Sequence, residues 1–334
     1  MFTRCIFCHR PFEANEEVEH FPVGRRVAFD PRRGRLWAVC DGCQRWTLAP
    51  FEERWEALEE LEKLTRDRGR LLSSTDNIAL FRVGALEAVR VGQALLREEA
   101  WWRYGRELTQ RRRQARIARL AEFGLYGAIG LATGGTFVLW MRGDIINKVR
   151  RWNRFGITAW RGESRCPRCG SVMTRIGFRD TRRLVIVPGG DEGGEGGEDN
   201  VQLVLRCSRC GHADDDGGYH LTGVTAQHTL RRIMAYHHFS GANDKRVRSA
   251  TDYIEQAGSP RQVLAWTASS RTRMRELVQR RNATQSIALE IALNDEAERR
   301  MLELELAALE ARWREEEEIA AIVDRQLTWI PGTA

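Results

Sequence analysis

The sequence predicts an α+β protein: two small β-hairpin units, each closed by four cysteines, joined to a mainly α-helical remainder that ends in a long helix. Three observations carry this. All eight cysteines fall in four C-x-x-C pairs, Cys5 with Cys8, Cys40 with Cys43, Cys166 with Cys169 and Cys207 with Cys210. Alternating apolar segments run straight into Cys40 and Cys207. Helical spacing of apolar residues fills most of what is left. The segments so implied are a cysteine unit over 1–48, a helical segment with a basic end over 49–122, a Gly-rich apolar segment over 123–141, a basic linker over 142–162, a second cysteine unit over 163–216, a helical region over 217–270 and an acidic amphipathic helix over 271–334.

In the first unit, "VGRRVAFDPRRGRLWAVC" reads as two alternating strands around the turn "DPRRG", delivering the second strand into the knuckle at Cys40 and Cys43. The second unit repeats the plan, with "CPRCGS", the strand "RRLVIVPGG", a Gly and acid loop "DEGGEGGEDN" and the returning strand "VQLVLRCSRCGH". Four thiolates converge on one tetrahedral site in each unit, and no thiol is left over for a disulfide framework. Zinc is the expected occupant, two structural ions per chain, ligated by Cys5, Cys8, Cys40 and Cys43 and by Cys166, Cys169, Cys207 and Cys210. A site closed by four thiolates keeps no position for water, which argues against catalysis at the metal. His9 and His212 flank the knuckles and are read as bystanders. A thioredoxin-like dithiol would need one C-x-x-C ahead of a helix in a βαβ setting, which neither unit offers.

On these residues, roughly 3 to 48 and 163 to 213, the chain resembles zinc-ribbon proteins. That resemblance implies binding to nucleic acid or protein without choosing between them. The chain as a whole also resembles bacterial zinc-ribbon proteins that pair an N-terminal ribbon with a Gly-rich apolar segment, a likeness that brings no activity with it. Units of about fifty residues bury little apolar surface, so each ribbon is expected to unravel without metal. The run "GGDEGGEG", from Gly189 to Gly196, shares four letters with the signature of diguanylate cyclases, but no α/β catalytic domain fits between Cys169 and Cys207. It reads as a low-complexity loop tip.

Between the cysteine units, Pro50 opens a helix whose Glu52 and Glu53 suit the first turn and whose Phe51, Trp55, Leu58 and Leu61 share a face directed at the first unit. "SSTDN", residues 73–77, breaks it before another expected helix to about residue 99. "FGLYGAIGLATGGTFVLWM", residues 123–141, carries no charge and would span about 28 Å as a helix, close to the hydrocarbon thickness of a bilayer. Seven Arg in 103–122 and five Arg with one Lys in 142–161 flank it on both sides, so loop charge assigns no orientation. A simple crossing would also put one cysteine unit in an oxidising compartment. Membrane contact, as a shallow hairpin bent at Thr133 to Gly135 or as an interfacial helix, and soluble packing or self-association through this segment both remain open at this level.

In the C-terminal third, Leu230, Ile233, Met234 and His237 form one helical stripe, and His237 and His238 are read as structural because no carboxylate sits at ligand spacing. A second helix turns Val247, Ala250, Ile254 and Ala257 inward and stops at Gly258; Ser259, Pro260 and Gln262 make a capping box for the next. The last helix, about 283–328, repeats Leu302, Leu306, Leu309, Trp313, Ala320, Val323 and Leu327 at coiled-coil spacing broken by Glu316. Twelve acids against five Arg in 290–325 make it acidic.

The net charge of +7 points towards anionic partners, but only three of the 53 basic residues are Lys (63, 148 and 245), a bias that weakens the inference. No H-E-x-x-H, G-x-S-x-G, phosphate-loop or dinucleotide frame occurs. The expectation is a non-catalytic zinc-binding interaction protein with no evident small-molecule substrate. It would work through a protein partner or self-association of the C-terminal helix. The start "MFTRCIFCHRPF" lacks an apolar signal core, which with the thiolates places the chain in the cytoplasm or at the inner membrane face. The alternative is a nucleic-acid binder using Arg32, Arg33 and Arg35 at the first hairpin and Arg111, Arg112 and Arg113 against phosphates.

Overall fold

A computed structural model describes residues 3–6, 8, 10–132, 145–189, 201–212 and 218–327. The chain divides into two compact units, Met1–Leu293 and Asn294–Ala334. In the first, strands β1 (Arg26–Asp30) and β2 (Arg35–Val39) pair antiparallel around the expected turn, with Val27 opposite Ala38 and Phe29 opposite Leu36. Asp30 tightens that turn by accepting the Arg32 and Arg33 amides, each at 3.1 Å. Strand β3 (Trp46–Leu48) adds to β2, and helix α1 (Trp55–Asp67) follows.

The helix expected up to residue 99 is instead mostly sheet. Strands β4 (Arg70–Ser74), β5 (Ile78–Val83) and β6 (Leu86–Val91) pair in sequence, and only α2 (Leu96–Ala100) is helical. The reason is local: Ile78 with Leu80, Leu86 with Ala88 and Val89 with Val91 repeat at a period of two, and all are buried. Gly84, at φ +53°, makes the two-residue turn between β5 and β6. Because β6 returns parallel to β1, the six strands form one sheet in the order β3-β2-β1-β6-β5-β4. One face, with Val27, Phe29, Leu36 and Ala38, packs on Ala57, Leu58, Leu61 and Leu64 of α1. On the other face Trp37 meets Trp46 with ring centroids 5.5 Å apart, and the Arg103 guanidinium lies over the Trp37 ring.

A π-helical turn, Trp101–Gly105, leads into α3 (Arg106–Ala132), and α4 (Ile145–Phe155) packs beside it. The first half of the apolar segment thus continues a basic helix: Phe123, Leu125 and Leu131 are exposed, whereas Tyr126 is buried and donates to Glu122 at 2.9 Å. Among the described residues no helix is long and apolar enough to cross a membrane. Residues 133–141, with the expected bend and Trp140, lie outside the described residues, as do His9 and Gly190 to Gly196.

Strands β7 (Thr158–Arg165) and β8 (Val172–Gly177) form a hairpin, so the expected basic linker ends in a strand. A three-stranded antiparallel sheet, in the order β11-β10-β9, combines β9 (Leu184–Pro188), β10 (Val201–Leu205) and β11 (Tyr219–Leu221). Helices α5 (Gly223–His237), α6 (Asp244–Ala257), α7 (Pro260–Ser269), α8 (Met274–Leu277) and the start of α9 (Ala283–Leu327) enclose a core that includes Leu203, Leu230, Ile233, Val247, Ile254 and Ile291. Ser259 caps α7 as expected, accepting the Gln262 amide at 3.1 Å.

The second unit, from Asn294, is the remainder of α9. Within it, Leu304, Leu306, Trp313, Ile319, Ile322 and Val323 are exposed.

Candidate functional site

Each C-x-x-C pair sits in a tight knuckle, and the knuckles share one hydrogen-bond plan. The amide of the first cysteine donates to the carbonyl five residues on: Cys5 to Arg10, Cys40 to Arg45, Cys166 to Ser171 and Cys207 to His212, at 2.8–3.0 Å. In three of them the residue after the second cysteine donates back to the first cysteine's carbonyl, and that residue is left-handed: Gln44 at φ +59°, Gly170 at +67° and Gly211 at +77°. This explains the "CG" that ends both knuckles of the second site, since only glycine takes that conformation without steric cost. Gln44 is held there by its own side chain, which donates to the Asp41 carbonyl and accepts from Arg26.

The knuckles pair as the spacing requires. Cys5 Sγ lies 3.6 Å from Cys43 Sγ and Cys8 Sγ 3.6 Å from Cys40 Sγ; in the second set, Cys166 to Cys210 is 3.7 Å and Cys169 to Cys207 3.6 Å. Within each set all four sulfurs lie within 4.8 Å of one another. A disulfide would bring sulfurs to about 2.05 Å, whereas a tetrahedral ion with metal–sulfur bonds of about 2.3 Å spaces them about 3.8 Å apart. The donor set therefore fits one metal ion per group.

The second site shows where its ligands come from. Its knuckles are the β7/β8 turn and the loop from β10 into β11, whereas the sequence pattern suggests a β9/β10 hairpin as their carrier. Donors surround the sulfurs. Ser171 Oγ is 3.1 Å from both Cys169 Sγ and Cys207 Sγ, and the Arg209 and Gly218 amides donate to Cys207 and Cys166 at 3.4 Å. The Ser171 hydroxyl, followed by the Cys210 amide, pulls the Cys207 thiol down to about 5, and the Gly218 amide lowers Cys166. In the first site Cys8 falls to about 6 through Cys40 and Cys43. Cys40, Cys43 and Cys210 go the other way and are raised, so without metal each group shares thiolate and thiol among its four sulfurs, and a bound ion would displace the remaining protons. His212 turns its Nδ1 to the Cys210 carbonyl at 2.8 Å and stands outside the sulfur set.

From the Cys40 knuckle a buried ionic strut runs into the helical core. Arg45 donates to Glu107 of α3 at 2.6 Å and to Glu290 of α9 at 3.2 Å. Arg111 donates to Glu290 at 3.1 Å and also pairs with Glu107. The other oxygen of Glu290 meets His238 Nδ1 at 2.7 Å, and His238 Nε2 lies 2.6 Å from Ser286 Oγ. Burial alone would raise the Glu290 carboxyl; Arg111, then His238 and Arg45, hold it well below the usual carboxylate range. The expectation that His238 lacks a carboxylate is therefore corrected: the fold brings one from 52 residues away. The signal was an acid inside the apolar run "SIALEIALN". His237, by contrast, faces Thr181 Oγ1 at 3.2 Å.

The six arginines expected to contact phosphates are scattered in exposure. Arg32 and Arg113 are exposed, and Arg35 and Arg112 half-buried. Arg33 is paired with Glu99 at 3.0 Å and lies 3.7 Å from Asp30. Arg111 is buried in the strut, paired with Glu290 and Glu107. No family model, no curated protein and no solved structure matches this chain.

Proposed function

We propose that the protein is a non-catalytic interaction protein: two structural zinc ions fix its knuckles, and the C-terminal helix supplies an association surface for a second copy of the chain. The observation that carries this is the pair of four-sulfur groups, closed to water by their own stoichiometry, one carried by the six-stranded sheet and the other held between the two smaller sheets. Zinc suits an all-thiolate tetrahedral set, and reduced thiolates call for a reducing compartment such as the cytoplasm. Self-association rests on the helix itself. Leu302, Leu306, Leu309 and Trp313 recur at steps of four, three and four, the repeat of a helix that pairs with its like, and Leu306 and Trp313 are exposed.

Metal analysis of protein purified without added zinc is expected to give two zinc ions per chain. Light scattering on the full chain is expected to give a dimer that Leu306→Glu with Trp313→Glu converts to monomer; a monomeric parent removes the self-association. The non-catalytic reading has a direct test at Ser286, His238 and Glu290, which stand in the order of a nucleophile, base and orienting acid. Ser286 is only 1% exposed and Glu290 is engaged by two arginines. A fluorophosphonate probe is expected to leave Ser286 unlabelled, and stoichiometric labelling there overturns the reading.

A further inference from the structure

Beside the first cysteine group lies a cleft of about 620 Å³ whose walls come from both of its knuckles and from α3, α4 and α5. Seven arginines line it, Arg10, Arg45, Arg111, Arg150, Arg154, Arg231 and Arg232, and no Asp or Glu does. Arg45 and Arg111 are engaged by the strut behind the wall. Others are met by neutral groups: Arg150 donates to the Gln114 carbonyl and side-chain oxygen, Arg232 donates to the Phe155 carbonyl, and Arg154 lies over the Phe155 ring. Among the described residues neither Arg10, Arg150, Arg154 nor Arg232 pairs with a carboxylate. Gly42 keeps room for one of them, since a Cβ there would stand 2.6 Å from Arg10 Cδ.

Cationic crowding of this kind works against the fold. Burial, and then the charge of Arg45, lower the basicity of Arg231. Of the four without a carboxylate, Arg10 and Arg154 are exposed and Arg150 and Arg232 half-buried; an anion seated among them offsets their mutual repulsion. Cys8 and Cys43 also line the cleft, but a zinc tetrathiolate carries two negative charges, half of what Arg10, Arg150, Arg154 and Arg232 present. The remainder has no counter-charge on the wall.

We infer that this cleft is a binding site for a small anion bearing two or more phosphates. Guanidinium forks match phosphate oxygens in pairs, and several of them around one cavity favour a chain of phosphates over a single one. The volume lies in the range of small-ligand sites. Phe155 and Phe239 on the same wall offer apolar surface to an organic group carried by the phosphates. This inference needs neither self-association nor the identity of the metal.

The test is calorimetric titration of the full chain, at physiological salt, with inorganic triphosphate and with a nucleoside triphosphate. Expected is saturable one-to-one binding, at least tenfold weaker in Arg154→Gln and in Arg150→Gln and unchanged in Arg113→Gln, an exposed arginine outside the cleft. Should either substitution fail to fold, the other decides between presence and absence of the site. Tighter binding of the nucleoside triphosphate than of inorganic triphosphate identifies a nucleotide, and equal binding identifies the phosphate chain itself. Absence of saturable binding, binding indifferent to both cleft substitutions, or equal loss in Arg113→Gln overturns the site.

Discussion

Glu290 shows how one residue organises its surroundings. Placed among Ile287, Leu289 and Ile291, it would be neutral if burial alone decided; instead two guanidiniums and an imidazole keep it ionised. Truncating such a group leaves its partners buried without a counter-charge, which costs about 3–5 kcal/mol, so the strut is sensitive at each member. His237, one residue before His238, has the opposite fate. Burial, then the charges of His238, Arg182 and Arg151, lower its imidazole to about 4. The unfolded chain binds a proton near pH 6.5 that the folded chain refuses until about pH 4. Stability from this group is therefore complete above pH 6.5 and is lost as pH falls towards 4, by roughly 2–3 kcal/mol. Urea unfolding at a series of pH values is expected to show this slope in the parent and a flatter one in His237→Gln; identical slopes would contradict the assignment. The two histidines look alike in the sequence, because what separates them arrives from 181 on one side and 290 on the other.

At the scale of elements, the knuckle is the repeating part. Its left-handed residue gives a clean prediction, because Gly170 has open space around the position of a Cβ. Gly170→Ala meets no neighbour and bears only the backbone cost, about 1–2 kcal/mol. Unfolding free energy is expected to drop by that amount while the metal content stays at one ion in that site; an unchanged stability would mean the knuckle relaxes out of its left-handed turn. What the sequence reveals follows from locality. The cysteine spacing, the β1/β2 turn, the caps at Ser259 and Gly258 and the long last helix are written in neighbouring residues, and the structure has them. Strands β4 to β6 resemble helix in the sequence because "LFRVGALEAVRV" carries helix formers such as Leu, Glu and Ala, and the period of two emerges only once the Gly84 turn is placed. The β1–β6 pairing spans 61 residues between Arg26 and Glu87 and leaves no local mark. The arginine cleft is hidden for the same reason, its walls being drawn from residues 6 to 239.

For the whole molecule the question is what metal ions seated in the two sulfur groups would hold up. As isolated hairpins the cysteine units would collapse without them, which is what their small size implies. The first hairpin, however, is the middle of a six-stranded sheet with Phe29, Leu36, Leu58 and Leu61 packed beneath it, and β10 of the second is packed beneath α5 and α7. Neither core contains the sulfurs as its centre: the first group forms its own cluster with Phe12, and Cys166 and Cys207 lie within a larger core of helix and sheet residues. Removing the ions therefore has a local consequence. The knuckles at 5–10, 40–45, 166–171 and 207–212 lose their pins, and with Arg45 the strut to α3 and α9 loses its anchored end. Chelation of the intact chain is expected to release two ions, expose eight thiols to a thiol reagent and alter the near-ultraviolet signal of Trp37 and Trp46, which flank the Cys40 knuckle, while far-ultraviolet dichroism keeps most of its amplitude. Stability against urea should fall in the same sample, because thiolates freed of metal must share a space built for a cation. Complete loss of far-ultraviolet signal on chelation would show that the sheets depend on the ions, and eight reactive thiols before chelation would show that no ion was held.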